Sequence, residues 1–177
     1  MNERPDREAA KRRIMFVPGE DFYFLAYTFL VLLEGLGATS PDKALHDSRK
    51  LAYIADFMGG DSDLRLVITK APLSASARSR LTLLYDRAVA RRVAVERLVA
   101  ALATRGLVCV VRNPEEEDRV YLGESRLATA LLSSSTFQKE EERLKVLRGK
   151  IPQLRTMTLA TFKQRLFGDR GVRTWGD

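Results

Sequence analysis

The stretch from Tyr85 to Leu122 constrains the fold of this chain more than any other. Val95, Leu98, Val99 and Leu102 recur at three- and four-residue spacing and define one apolar face of a helix. That helix runs to Arg105 and meets Gly106, a residue able to close it in the left-handed conformation. Leu107 then folds back toward the core. Two β-rich runs follow, LVCVVR and RVYL, joined by the turn NPEEED, and read as a hairpin. A helix that ends in Arg-Gly-Leu-Val and passes at once into a hairpin is the recognition-helix-and-wing pattern of a winged helix-turn-helix. The pattern speaks to shape rather than ligand, because one fold hosts many functions and winged helices bind proteins as well as DNA.

The flanking sequence is predicted to be helical. A first helix spans about Asp21 to Leu36, with Glu20 and Asp21 at its positive end and Gly35 and Gly37 at its exit. Its run FYFLAYTFLVLL, Phe22 to Leu33, is apolar nearly all round and belongs in the core. The run is shorter than the roughly 20 residues a membrane-spanning helix needs. Ser40-Pro41-Asp42 combines a cap, a first-turn proline and a dipole-facing carboxylate, and predicts a second helix to Met58, stopped by Gly59-Gly60. Leu45, Leu51, Ala52, Ala55 and Met58 form its buried stripe. Residues 61–70 read equally as strand or loop. Ser74 or Ser76 caps a further helix, and residues 74–105 fit one helix or two with a break at Ala90-Arg91-Arg92. From Glu124 to Phe167 the chain is helical again, interrupted at Pro152, which lacks the amide proton a helix interior needs.

These elements predict a mainly α protein with a small β-hairpin wing: a winged helix-turn-helix plus a C-terminal helical extension. Residues 1–17 form a basic arm containing the short apolar patch Ile14 to Val17. Residues 18–123 form the winged-helix-like domain, 124–167 the extension, and 168–177, the Gly-rich GDRGVRTWGD, a flexible tail. With 45% hydrophobic and 30% charged residues, the chain can build a core without disulfides. The single cysteine, Cys109, allows no intramolecular disulfide and sits in an apolar run where a buried structural thiol is expected. The first thirteen residues are charged and lack the apolar segment of a secretory signal, so a cytoplasmic location is expected.

The residue inventory argues against an enzyme. His46 is the only histidine; Asp42, Asp47 and Asp56 lie within helical reach, but Asp42 and His46 one turn apart fit an exposed surface pair better than a metal or general-base site. No nucleophile elbow, GxGxxG or Walker-type loop is present, and Gly59-Gly60-Asp61 is a turn. No catalytic residue, metal or cofactor is expected.

The net charge is +7, and it sits at the ends. Residues 1–18 hold five basic and three acidic side chains, residues 19–135 fifteen of each, and residues 136–177 ten basic and five acidic. A basic end can meet nucleic acid, an acidic protein face or an anionic surface. Arg87, Arg91, Arg92, Arg97 and Arg105 on or near the recognition helix are candidate nucleic-acid contacts. The acidic wing, Glu115 to Asp118, opposes that use. Lys139, Arg143, Lys145, Arg148, Lys150, Arg155, Lys163 and Arg165 make a denser C-terminal cationic surface that fits DNA, an acidic partner or solvent alone. Phe22, Tyr23 and Tyr27 on the first helix, Leu144 and Leu147 in the extension, and Trp175 in the tail are candidate protein contacts, since large apolar surfaces need cover and tryptophan is enriched at interface hot spots.

The order of elements FLAYTFLVLLEGLG, SPDKALHDSRKLAYIADFM, ERLVAALATRGLVCVV and EDRVYLGESRLATALLSSS resembles the middle component of ABC-three-component antiphage systems, the Lamassu type included, over roughly residues 18–167. The resemblance rests on pattern, and the acidic wing and basic arm depart from it. It implies a non-enzymatic winged-helix adaptor that joins an SMC-like or ABC-type ATPase to an effector subunit in antiphage or plasmid defence, without a membrane partner. Two further readings are a MarR-like transcription regulator that binds palindromic DNA as a dimer, and an accessory winged-helix subunit of a condensin-like complex.

Overall fold

A computed structural model describes residues 22–113, 116–124 and 137–175. The basic arm, the first residues of the first helix, the tip of the wing and the region containing Leu131 and Leu132 lie outside the described residues. Among the described residues there are six α-helices and one three-stranded antiparallel sheet. No helix among them is long and apolar enough to cross a membrane.

Helix α1, Phe22–Gly35, is buried on almost every side from Leu25 onward. It closes as its glycines predict. Gly37 takes φ 71°, its N–H donates to Glu34 at 2.7 Å, and the N–H of Ala38 donates to Leu33 at 2.8 Å, so both orphan carbonyls are satisfied. A β-carbon on Gly35 would fall on the Leu144 side chain, so this position lets α1 approach the C-terminal helices closely.

The helix expected from Ser40 is not formed. Ser40 makes no capping bond, and only the 3-10 turn Pro41–Lys43 follows. Leu45–His46 is strand β1, which pairs Leu45 with Val120 and His46 with Arg119. Burial of Leu45 in the sheet overrides the local cap signal. Helix α2, Lys50–Met58, starts only after Asp47, which takes φ 62° and accepts the Arg49 backbone N–H at 3.0 Å. Most of residues 61–70 is neither strand nor loop: Asp61–Ile68 is helix α3, with Asp61 and Asp63 in its first turn and Leu64 and Val67 buried.

Helix α4, Ala75–Thr104, is continuous over 30 residues, capped by Ser74, whose hydroxyl accepts from Ala77 N–H at 3.2 Å. At its end Gly106 takes φ 67°, Leu107 donates to Leu102 at 3.0 Å, and Leu107 is buried, as the sequence predicts. Strands β2, Val108–Asn113, and β3, Glu116–Leu122, pair further toward the tip than expected. Asn113 opposes Glu116, so Glu116, Glu117 and Asp118 belong to a strand rather than to the turn. The sheet order is β1-β3-β2.

Helix α5, Gln138–Lys150, stops two residues before Pro152, and α6, Leu159–Leu166, begins after the intervening turn with Thr158 as its cap. Leu144, Leu147, Leu154 and Phe162 join the same buried cluster as Phe29, Tyr53 and Leu98, so the extension and the preceding region share one core. The tail is not loose through Trp175. Gly168–Arg170 forms a 3-10 turn and Val172 is buried. Arg170 donates to the Val67 carbonyl at 2.9 Å, and Tyr85 exchanges hydrogen bonds with the Trp175 backbone. The anchor is aromatic: the Tyr85 ring meets Phe167 at 5.0 Å and Trp175 at 5.1 Å, both edge-on.

Candidate functional site

The arginines of α4 divide into two sets. Arg91 faces inward at 8% exposure; it donates to Asp56 Oδ1 at 3.1 Å and to the Ala52 carbonyl at 3.3 Å. It therefore clamps α4 to α2 and is not presented to a nucleic acid, contrary to expectation. Burial raises the Asp56 carboxyl above the usual range, while Arg91 and Arg87 pull it down. Arg87 stands 3.8 Å from the same carboxylate but is half exposed. Arg92 is half-buried beside Tyr53. Burial pushes the Tyr53 hydroxyl up to about 12, with Tyr85 adding to the shift and Arg92 opposing it. Arg97 and Arg105 are exposed.

The outward face of α4 carries residues that the apolar pattern did not single out. Leu83 is 61% and Val93 57% exposed, and Arg87, Ala90, Ala94 and Arg97 are exposed along the same side. Leu83 lies out of phase with the buried Leu81, Leu84, Tyr85 and Ala88, and that phase is legible in the sequence. The helix holds six arginines and no lysine.

The C-terminal basic residues are not one surface. Lys139, Lys145, Lys150 and Arg165 are exposed, and so is Arg148, which donates to the Gly35 carbonyl. Arg143 is spent within the chain: it donates to Asp61 at 2.7 Å and to the Met58 carbonyl at 2.6 Å, tying α5 to α3 and the end of α2. That contact holds the Asp61 carboxyl below its usual range. Lys163, expected on the cationic surface, is buried at 4% exposure because it lies on the inner face of α6. Arg155 is half-buried.

Of the expected protein contacts, Phe22 and Tyr23 are exposed, with rings 6.1 Å apart at right angles, and Tyr27 is half-buried against Phe137 at 5.9 Å. Leu144 and Leu147 are buried at 1% and 0% exposure, covered by the chain itself, and so present no surface to a partner. Trp175 is 48% exposed, with one edge against Tyr85.

His46 and its neighbouring carboxylates do not converge. His46 sits in β1, where its backbone N–H donates to Arg155; Asp47 is paired with Arg49 at 2.7 Å; Asp56 is paired with Arg91; and Asp42 is exposed on the 3-10 turn. The exposed helical pair of Asp42 and His46 does not exist, because that segment is not helical. Among the described residues no three His, Cys, Asp or Glu side chains group as metal ligands. Cys109 is half-buried on β2 opposite Tyr121, less enclosed than expected.

Reasoning from the sequence misses the buried Lys50. Its ammonium, at 0% exposure, donates to the carbonyls of Leu154 at 3.3 Å, Arg155 at 3.2 Å and Met157 at 2.6 Å. A lysine on the apolar side of a helix was the available signal. The cation thereby fastens the turn after Pro152 to α2.

No family model matches the chain, and neither a curated protein nor a solved structure matches it.

Proposed function

We propose that this chain is a non-enzymatic winged-helix adaptor that acts in the cytoplasm and joins an SMC-like or ABC-type ATPase to an effector subunit in phage or plasmid defence. The observation that carries the reading is the outward face of α4. Leu83 and Val93 stand largely exposed between arginines on a helix without lysine. Protein interfaces are enriched in arginine and depleted in lysine, because a guanidinium sheds water more readily than an ammonium. The winged-helix part of the reading is supported by the sheet order β1-β3-β2 and by the direct passage of α4 into the hairpin. The regulator alternative draws less support, since Arg91, central to the helix meant to read DNA, is committed to Asp56.

The test is co-expression of the full chain with an SMC-like ATPase encoded beside it, followed by affinity capture. The wild-type chain is expected to co-purify. The double variant Leu83→Asp/Val93→Asp is expected to lose the partner while keeping its circular dichroism spectrum, because an unpaired charge is forced into a dry interface. A wild-type chain that stays folded, monomeric and unbound would sink the adaptor reading.

A further inference from the structure

A cavity of about 370 Å³ opens between the exit of α1 and the turn after α5. Its polar lining comprises Thr39, Lys43, Arg148, Gln153, Arg155 and Thr156, on a rim completed by Leu36, Gly37, Pro152 and Leu154. Three side chains in this lining are cationic and none is acidic. By contrast, Arg91 meets Asp56 and Arg143 meets Asp61. Here three cations line one recess with no carboxylate among them, an arrangement that favours an anion. Arg155 itself is half-buried. Its Nη1 is buried and has no hydrogen-bond partner among the described residues. An unsatisfied buried donor costs free energy, and among the described residues no carboxylate is paired with this guanidinium to offset it.

We propose that this cavity binds a phosphate monoester, with Lys43, Arg148 and Arg155 as its cationic contacts. Two guanidinium groups and an ammonium match a dianionic group with three terminal oxygens better than a single carboxylate, because several charge-assisted donors can share those oxygens. The threonine hydroxyls and Gln153 supply further donors. The volume lies in the range of small-molecule sites, roughly 300–1,000 Å³, so it holds the phosphate together with part of the group that carries it. That group is either a free nucleotide or the phosphorylated end of a nucleic acid strand. The site is independent of the adaptor reading and lies on other residues.

The walls are positioned from behind. Lys50 holds the carbonyls of Leu154, Arg155 and Met157, and the His46 backbone N–H holds that of Arg155 as well, so the turn bearing Arg155 is fixed before any ligand arrives. Arg148 is steadied by its bond to the Gly35 carbonyl at the opposite wall.

Titration calorimetry of the full chain tests the proposal with AMP, adenosine, and a short DNA duplex with and without 5′-phosphates. Saturable binding of AMP but not adenosine is expected, or of the 5′-phosphorylated duplex over the unphosphorylated one. The first result assigns a free nucleotide, the second a strand end. Arg155→Gln should weaken the successful probe about ten- to a hundredfold, as loss of a charge-assisted hydrogen bond implies. Lys43→Glu, on an exposed turn where misfolding is not at issue, should weaken it comparably, whereas Lys145→Glu, outside the cavity, should leave AMP binding unchanged. Silence of both phosphate-bearing probes, equal binding of their phosphate-free counterparts, or binding indifferent to Lys43→Glu would each overturn the proposal.

Discussion

Arg91 and Arg155 are both arginines withdrawn from solvent, and they lie in environments of opposite kind. Arg91 finds a carboxylate and a backbone carbonyl across the seam between α4 and α2. Arg155 lines a recess with two other cations and leaves one nitrogen without a partner among the described residues. The first region uses charge to hold two helices in register. The second keeps charge in reserve. The distinction matters because the two are indistinguishable as basic residues in a sequence, yet removing charge from them should move stability in opposite directions.

The largest effect is expected at the seam. Arg91→Met strands Asp56 in a site that already raises its carboxyl by burial, with only the half-exposed Arg87 nearby. A loss of about 3–5 kcal/mol is expected in urea denaturation. The pH dependence has a definite sign. A carboxyl whose folded-state value is raised contributes stability that is present below its unfolded value, about 3.9, and is lost as pH rises through the folded value. Without Arg91 the folded value rises further, so the deficit of the variant should shrink on acidification. The double variant Arg91→Met/Asp56→Leu should return close to wild type, because an apolar pair of similar volume often replaces a buried ion pair at little cost. A double variant as weak as the single one would mean that the seam depends on its charges for more than mutual compensation.

A smaller loss is expected between the two regions. Lys50→Met removes one donor group and leaves the carbonyls of Leu154, Arg155 and Met157 without it, at a cost of about 3 kcal/mol. The same variant should loosen the turn that carries Arg155, so amide exchange at residues 153–157 should accelerate more than exchange in α4.

The smallest effect, and the one that sharpens the contrast, belongs to the cavity. Arg155→Met should leave stability unchanged or raise it by up to about 1 kcal/mol, since it removes an unsatisfied donor. A loss as large as that of Arg91→Met in the same denaturation experiment would show that the recess is structural after all.

The local chemistry of this fold was well marked in the chain. Ser74 caps α4, Gly106 closes it, Gly37 closes α1 and Pro152 separates α5 from α6, each because a single residue type satisfies or denies a specific backbone group. What failed to show was decided by partners far away in sequence. The signal at Ser40-Pro41-Asp42 was genuine as a local preference, but Leu45 and His46 pair with Val120 and Arg119, more than seventy positions on. Helix α3 is only eight residues long, with two apolar residues inward, too little to establish a period. The candidate surfaces were harder still. Basic character alone does not reveal that the fold spends Arg91, Arg143 and Lys163 inside and brings Lys43 to the cavity. Leu144 and Leu147 are apolar enough to need cover, and the common core supplies it, with Gly35 of α1 against Leu144.

Lys50 also imposes an order of events on the making of this protein. Its ammonium and the Met157 carbonyl are 107 residues apart, so a chain released from its N-terminus synthesises α2 long before the acceptors exist. Until they emerge, a charged group sits on the face of α2 that must become dry, and burying it without those acceptors is costly. The helices of the first half can form and touch as they appear, but the centre cannot close over Lys50 until the turn after Pro152 has arrived. Synthesis that stops short of residue 154 would therefore yield a product with an open, hydrated centre, and a nascent chain of that length would be a natural target for chaperones and proteases.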